Sequence, residues 1–169
     1  MHILILPSWY FPPGSGEISG RMFHHLASDL RNENIDARIF YANFNSRKSI
    51  FRKTDFQIED NVPTIRITQW HPPKVTSYFI NRWIRKYASE IIDYMKREGR
   101  PDVIHAQSYM AGMVCAYLKK ESGIPFILTE RLSAFSNDTI PDRFFPFIKN
   151  AFNDASHITA VSPGLASAM

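Results

Sequence analysis

The residues with chemistry to offer fall in three short stretches. His105-Ala106-Gln107-Ser108 holds a histidine, and Thr129-Glu130-Arg131-Leu132-Ser133 holds a carboxylate beside an arginine. A positioned histidine or carboxylate can move a proton, and a guanidinium presents a fixed charge to an anion. His105 is equally compatible with a buried, satisfied strand histidine, and Glu130 beside Arg131 with a structural ion pair. The third stretch runs from Ser8 to Gly20 and contains Gly14-Ser15-Gly16. Glycines there let backbone N–H groups come close to a ligand, and a following helix would turn its positive end toward a phosphate. A plain surface turn is the alternative.

Other chemistries fit poorly. The glycines are spaced G-x-G-x-x-x-G, and no Asp or Glu closes the strand ending at Ala42-Asn43, so a dinucleotide fingerprint is missing. No Gly-Lys-Ser/Thr follows the glycines, which removes a P-loop. His2, His24, His25, His71 and His157 show no spacing suited to metal ligation with Cys or carboxylates, so no metal site is expected.

These stretches need elements to hold them. Ile3 to Leu6 is a short apolar run ending in Pro7, as in a strand buried on both faces. Met22, Phe23, Leu26, Ala27 and Leu30 continue the helical spacing begun at Ile18. Strands are predicted at 37–42, 63–68, 103–106, 125–129 and 157–161. Helices are predicted from Ser77 to about Glu98, with Gly99 and Pro101 as stop, from Met110 to near Gly123, and at 144–152. Strand and helix alternate throughout, which argues for a mostly parallel sheet covered on both faces, an α/β domain. In such sheets ligands bind outside the carboxyl ends of the strands, where His105, Gln107, Ser108, Glu130 and Arg131 all fall.

Composition agrees with one globular domain: 169 residues, 44% apolar and 21% charged. The net charge of +4 is uneven, with 15 Lys/Arg against 10 Asp/Glu in residues 1–100 and 5 against 6 beyond. Arg47, Lys48, Arg52 and Lys53 form one basic stretch, and Arg82, Arg85, Lys86, Lys96 and Arg97 another. A solvated surface accounts for them; attraction to an anionic membrane or a phosphorylated acceptor is the functional alternative. The opening residues do not read as a leader, and no run suits a membrane-spanning helix. With the single Cys115 unable to form an internal disulfide, a cytoplasmic protein is expected. Ser162 and Pro163 start a helix just before Met169, so a domain cut from a longer protein is expected.

Several stretches together resemble one family, the retaining glycosyltransferases of the GT-B fold in family 4, also called group 1. Pro7-Ser8-Trp9-Tyr10-Phe11-Pro12 with Ile18-Ser19-Gly20 and Phe23 resembles their first strand and loop. Pro101-Asp102-Val103-Ile104-His105-Ala106-Gln107-Ser108 with Gly112 is similar to their D-x-I-H-x-H segment. Ile124 to Phe135 is similar to their I-P-x-x-x-T-E-H-x-S-x-F stretch, and Ala160-Val161-Ser162 to the closing V-S. Gln107 stands where members often have a second histidine, and Arg131 where many have the histidine of T-E-H.

The resemblance implies a Rossmann-like three-layer sandwich forming the amino-terminal, acceptor-side half of the enzyme over residues 1–169. A separate carboxyl-terminal domain would hold the nucleotide sugar. On that division His105, Glu130 and Arg131 are the expected catalytic groups, and Gly14, Ser15 and Gly16 the loop for the donor diphosphate. Trp9, Tyr10, Gln107 and Ser108 are the expected acceptor contacts. The implied partners are a nucleotide-sugar donor and a glycan or lipid-linked acceptor, with no nucleic acid. No metal or other cofactor is implied, and the domain alone is expected to be inactive. The competing functions are a non-catalytic glycan or sugar-nucleotide binding module of the same fold and an unrelated α/β phosphate-ester enzyme; fold alone does not separate them.

Overall fold

The computed structural model describes residues 1–10, 20–44 and 53–169. Gly14, Ser15, Gly16, Arg47, Lys48 and Arg52 lie outside the described residues. In chain order the elements are β1 (His2–Pro7), α1 (Arg21–Asn32), β2 (Asp36–Asn43), β3 (Lys53–Glu59), β4 (Val62–Thr68) and α2 (Ser77–Glu98). Then come β5 (Val103–Gln107), α3 (Tyr109–Ser122), β6 (Phe126–Glu130), a 3-10 turn at Asp142–Phe144, α4 (Phe145–Asp154), β7 (His157–Ala160) and α5 (Pro163–Ala168).

The strands form one sheet in the order β3-β4-β2-β1-β5-β6-β7. Every neighbouring pair is parallel except β3 and β4, which form an antiparallel edge. The chain builds outward from β1 through β2 to β4, then returns along α2 to place β5 on the other side of β1. The order therefore reverses between β1 and β5, and such a switch point is where open α/β sheets bind ligands. The register sets Pro7 against Gln107, so both strands end level at the reversal.

Side-chain alternation divides the core in two. Leu4 and Leu6 of β1 point to the face covered by α2, α3 and α4, together with Phe40, Ile104, Phe126 and Leu128. Ile3 and Ile5 point the other way, to α1, where they meet Phe23, Ala27 and Ile39. Helices on both faces of a mostly parallel sheet are the Rossmann-like three-layer arrangement expected from the sequence.

α2 begins where Thr76 caps it, its hydroxyl accepting from the Phe79 amide at 3.4 Å, and ends at Gly99 with a φ of 91°. Ile80, Trp83, Ile84, Tyr87, Ala88 and Ile91 are buried along one stripe, while Arg82, Arg85, Lys96 and Arg97 stay exposed. Glu90 is also buried on this helix, where Lys86 Nζ donates to it at 2.6 Å.

β3 was not visible in the amino-acid pattern. It lies on the sheet edge with only Glu59 buried, so it has no apolar run to betray it. It pairs with β4 through a two-residue turn, Asp60-Asn61, both at positive φ, the backbone that a tight hairpin requires.

Candidate functional site

Five predicted residues, His105, Gln107, Ser108, Glu130 and Arg131, lie in or one residue beyond β5 and β6 at the carboxyl edge beside the switch point. Ser8, just after β1, donates its hydroxyl to the Gln107 carbonyl at 3.1 Å and is paired with the Ser108 hydroxyl. The ends of β1 and β5 are thereby stitched to each other. Ser108 is fully buried and holds a φ of 115°, a conformation costly for any residue with a side chain. Strain of that kind persists only where the surroundings impose it, here in the one-residue passage from β5 to α3.

Gln107 and Arg131 form the next link. Arg131 Nε donates to Gln107 Oε1 at 2.7 Å, and its guanidinium carbon lies 5.9 Å from the centre of the Phe23 ring on α1. Among the described residues no carboxylate forms an ion pair with this arginine. Burial presses its pKa below the ordinary arginine value, although a guanidinium keeps its charge at any ordinary pH. Gln107 is fully buried, and its Nε2 has no hydrogen-bond partner among the described residues. A half-buried, uncompensated cation beside an unused amide donor is an arrangement suited to an anion with several acceptor oxygens.

His105 lies two residues before the end of β5, on the α1 face. Its Nε2 is 2.8 Å from Thr129 Oγ1, which in turn is 2.9 Å from Thr159 Oγ1. Burial, and next the charge of Arg131, lower its pKa to about 4. The imidazole is therefore neutral at neutral pH, a hydrogen-bonding group and not a cation.

Glu130, expected among the catalytic groups, is committed elsewhere. It is fully buried, and its carboxylate accepts the Tyr109 amide at 2.6 Å and the Arg131 and Leu132 amides at 2.9 Å each. Its charge thus faces the first turn of α3 and fixes the loop after β6, a positioning role. Burial raises its pKa, and the three amide bonds oppose that rise. The ion pair with Arg131 that adjacency suggests does not form, because the arginine side chain turns to Gln107.

Trp9 and Tyr10 separate. Trp9 packs edge-on against Phe23 at 5.1 Å between ring centres, which places it beside Arg131. Tyr10 is only 3% exposed: its hydroxyl donates to Glu59 Oε2 at 3.1 Å, and Arg66 lies 4.3 Å over its ring. Arg66 completes the cluster by donating to Glu59 at 2.6 and 2.9 Å. Tyr10 therefore ties the loop after β1 to β3 and β4 and is not offered at the surface as an acceptor contact. Sequence reasoning missed Ser8, Phe23, Thr129 and Thr159 as parts of the site; their signal was their place one residue from a strand end or, for Phe23, in the first turn of α1.

Among the described residues, no group of three or more His, Cys, Asp or Glu side chains could hold a metal ion. No described helix is long and apolar enough to cross a membrane.

Comparison with known proteins places this edge in context. The family described as Glycosyltransferase Family 4 matches residues 19–169. The chain belongs to glycosyltransferase family 4. Solved structures carry the same fold. Sucrose-phosphate synthase from Thermosynechococcus elongatus superposes with a TM-score of 0.68 at 12% identity, over 99% of this chain and 44% of that one. UDP-forming alpha,alpha-trehalose-phosphate synthase from Burkholderia xenovorans gives 0.56 at 12% identity, over 94% of this chain and 39% of that one. UGT89C1 from Arabidopsis thaliana, complexed with UDP-L-rhamnose, gives 0.55 at 16% identity, over 95% and 42%. The family 4 chain thus spans less than half the length of these three and has the fold of an amino-terminal GT-B domain. No curated protein matches its sequence.

Proposed function

We propose that this chain is the acceptor-side domain of an enzyme that transfers a hexosyl group, with retention, from a nucleotide sugar to a polysaccharide, glycolipid or other acceptor. A donor-binding domain in the same protein would close over the carboxyl edge of the sheet. The observation that carries this reading is Arg131, which has no ion-pair partner among the described residues and is pinned by Gln107 and stacked near Phe23 at the switch point. As the glycosidic bond to the diphosphate breaks, negative charge grows on the leaving oxygen. A preorganised cation and an amide donor in a partly dry site stabilise that charge more than the ground state. His105, neutral, supplies a hydrogen bond near the reacting sugar. No metal is invoked in this scheme, which assigns the diphosphate charge to Arg131 and to the Gly14–Gly16 backbone. The complex of UGT89C1 with UDP-L-rhamnose supports a nucleoside diphosphate sugar as the donor class.

The test is nucleoside diphosphate release by the full-length protein over a panel of uridine and guanosine diphosphate sugars, with the product anomer read by NMR. Turnover with the donor's anomeric configuration kept is expected; inversion contradicts the mechanism, and donor binding without turnover favours the binding-module reading. The isolated chain should show no micromolar binding of these donors in calorimetry.

The same reading includes a cytoplasmic location and peripheral contact with an anionic membrane. Exposed Trp70 and Val75, with Tyr78 beside Arg82 and Arg85, support the contact.

A further inference from the structure

On the opposite face of the sheet from His105, a small cavity of about 80 Å³ opens at the same switch point. Pro7, Ser8, Asn43, Lys74, Trp83 and Met110 are among its lining residues. A buried water needs roughly 10–15 Å³ of such space. The cavity is thus too small for a nucleotide sugar and large enough for a group of several heavy atoms, such as a phosphate or a carboxylate with the carbon that bears it.

Lys74 is held there by its neighbours. Pro72 and Pro73 fix the backbone that leads to it, the Val75 amide closes a turn onto the Pro73 carbonyl at 2.9 Å, and Arg143 Nε donates to the Lys74 carbonyl at 2.9 Å. Its ammonium lies 5.1 Å from the centre of the Trp83 ring. Among the described residues it forms no ion pair, and burial lowers its pKa below the ordinary lysine value. An ammonium partly stripped of water, with no counter-charge among the described residues, gains from an anion at its side.

We propose that this cavity is an acceptor subsite for an anionic group, a phosphate ester or a carboxylate on a sugar, with Lys74 as its counter-charge. The inference rests on the acceptor-side role proposed above for the kind of molecule that enters. Two cations then flank the Ser8–Ser108 junction, one on each face of the sheet: Arg131 for the diphosphate of the donor, Lys74 for the anion of the acceptor. An acceptor held by its anion in the cavity would present its hydroxyl groups toward the strand ends where the donor sugar arrives.

Calorimetric titration of the full-length protein with glucose 6-phosphate, glucuronate and glucose tests the proposal without using a donor or turnover. At least one of the two charged sugars should bind more tightly than glucose, lose affinity at least tenfold in Lys74→Gln, and regain most of it in Lys74→Arg. Preference for the phosphate or for the carboxylate identifies which anion the subsite takes. Glucose binding as well as both charged sugars, no binding of any, or affinity unchanged in Lys74→Gln overturns the subsite. A protein that binds a charged sugar through Lys74 but never consumes a nucleotide sugar keeps the subsite and refutes the transferase reading; the reverse result does the opposite.

Discussion

At the residue scale, the site is a set of commitments that adjacency in sequence does not reveal. His105 is held neutral by burial, with a folded pKa of about 4 against the ordinary 6.5. Below pH 6.5 the unfolded chain takes up a proton that the folded chain refuses, so stability is complete above that pH and falls as pH drops toward 4. The loss reaches on the order of 2–3 kcal/mol. His2 and His71 are shifted the same way by burial, so the measurement is urea denaturation across this window for the wild type and for His105→Gln. The variant should show a shallower loss of stability with falling pH; an identical slope would mean that His105 is solvated. Glu130 and Arg131 teach the complementary lesson. Both were legible as edge residues because they close a strand, yet the Tyr109 amide of α3 that Glu130 accepts and the Gln107 that Arg131 reaches lie 21 and 24 positions away along the chain. Only the parallel pairing of β5 with β6 brings them together.

At the element scale, six of the seven strands and the long helices were legible from apolar residues at strand or helix spacing, although β7, at the other edge of the sheet, buries none of its side chains. β3 escaped because an edge strand with solvent on most of its side chains has no such run, and its partner β4 had to supply its reason for existing. Tyr10 was misplaced for the same cause: the Glu59 that buries it belongs to β3. Gly112 was legible only as part of a family pattern, and the structure supplies the physical reason. A Cβ there would come within 2.3 Å of the Leu128 side chain and 3.4 Å of Ala151, so α3 sits close on β6 and α4 only without a side chain at that position. α2 carries an element-scale prediction. Between Asp60 and Glu90 the chain has five Lys or Arg and no acid, and Trp70, Val75 and Tyr78 are exposed at 47%, 58% and 68%. Amphipathic aromatics beside cations favour an anionic headgroup layer. Co-sedimentation with vesicles of phosphatidylcholine containing phosphatidylglycerol should exceed that with phosphatidylcholine alone, and Arg82→Glu with Arg85→Glu should abolish the difference. Equal sedimentation with both vesicle types would remove the membrane role.

At the scale of the whole molecule, the proposed division of labour follows the sheet. The reversal of strand order between β1 and β5 puts two strand ends side by side, and the groups proposed above to face donor and acceptor lie to either side of that junction. Ser8, Ser108 and Gln107 join the two, and the guanidinium of Arg131, without an ion-pair partner among the described residues, is the feature on which the catalytic reading depends. The decisive measurement is turnover and melting temperature of the full-length protein carrying Arg131→Ala. Removing one preorganised donor to a developing charge lowers turnover by about 10²–10³. The lost hydrogen bond to Gln107 costs only about 1 kcal/mol of stability. A fall of that size in turnover with a small change in melting temperature is the predicted result; unchanged turnover would contradict the account and leave Arg131 a structural residue.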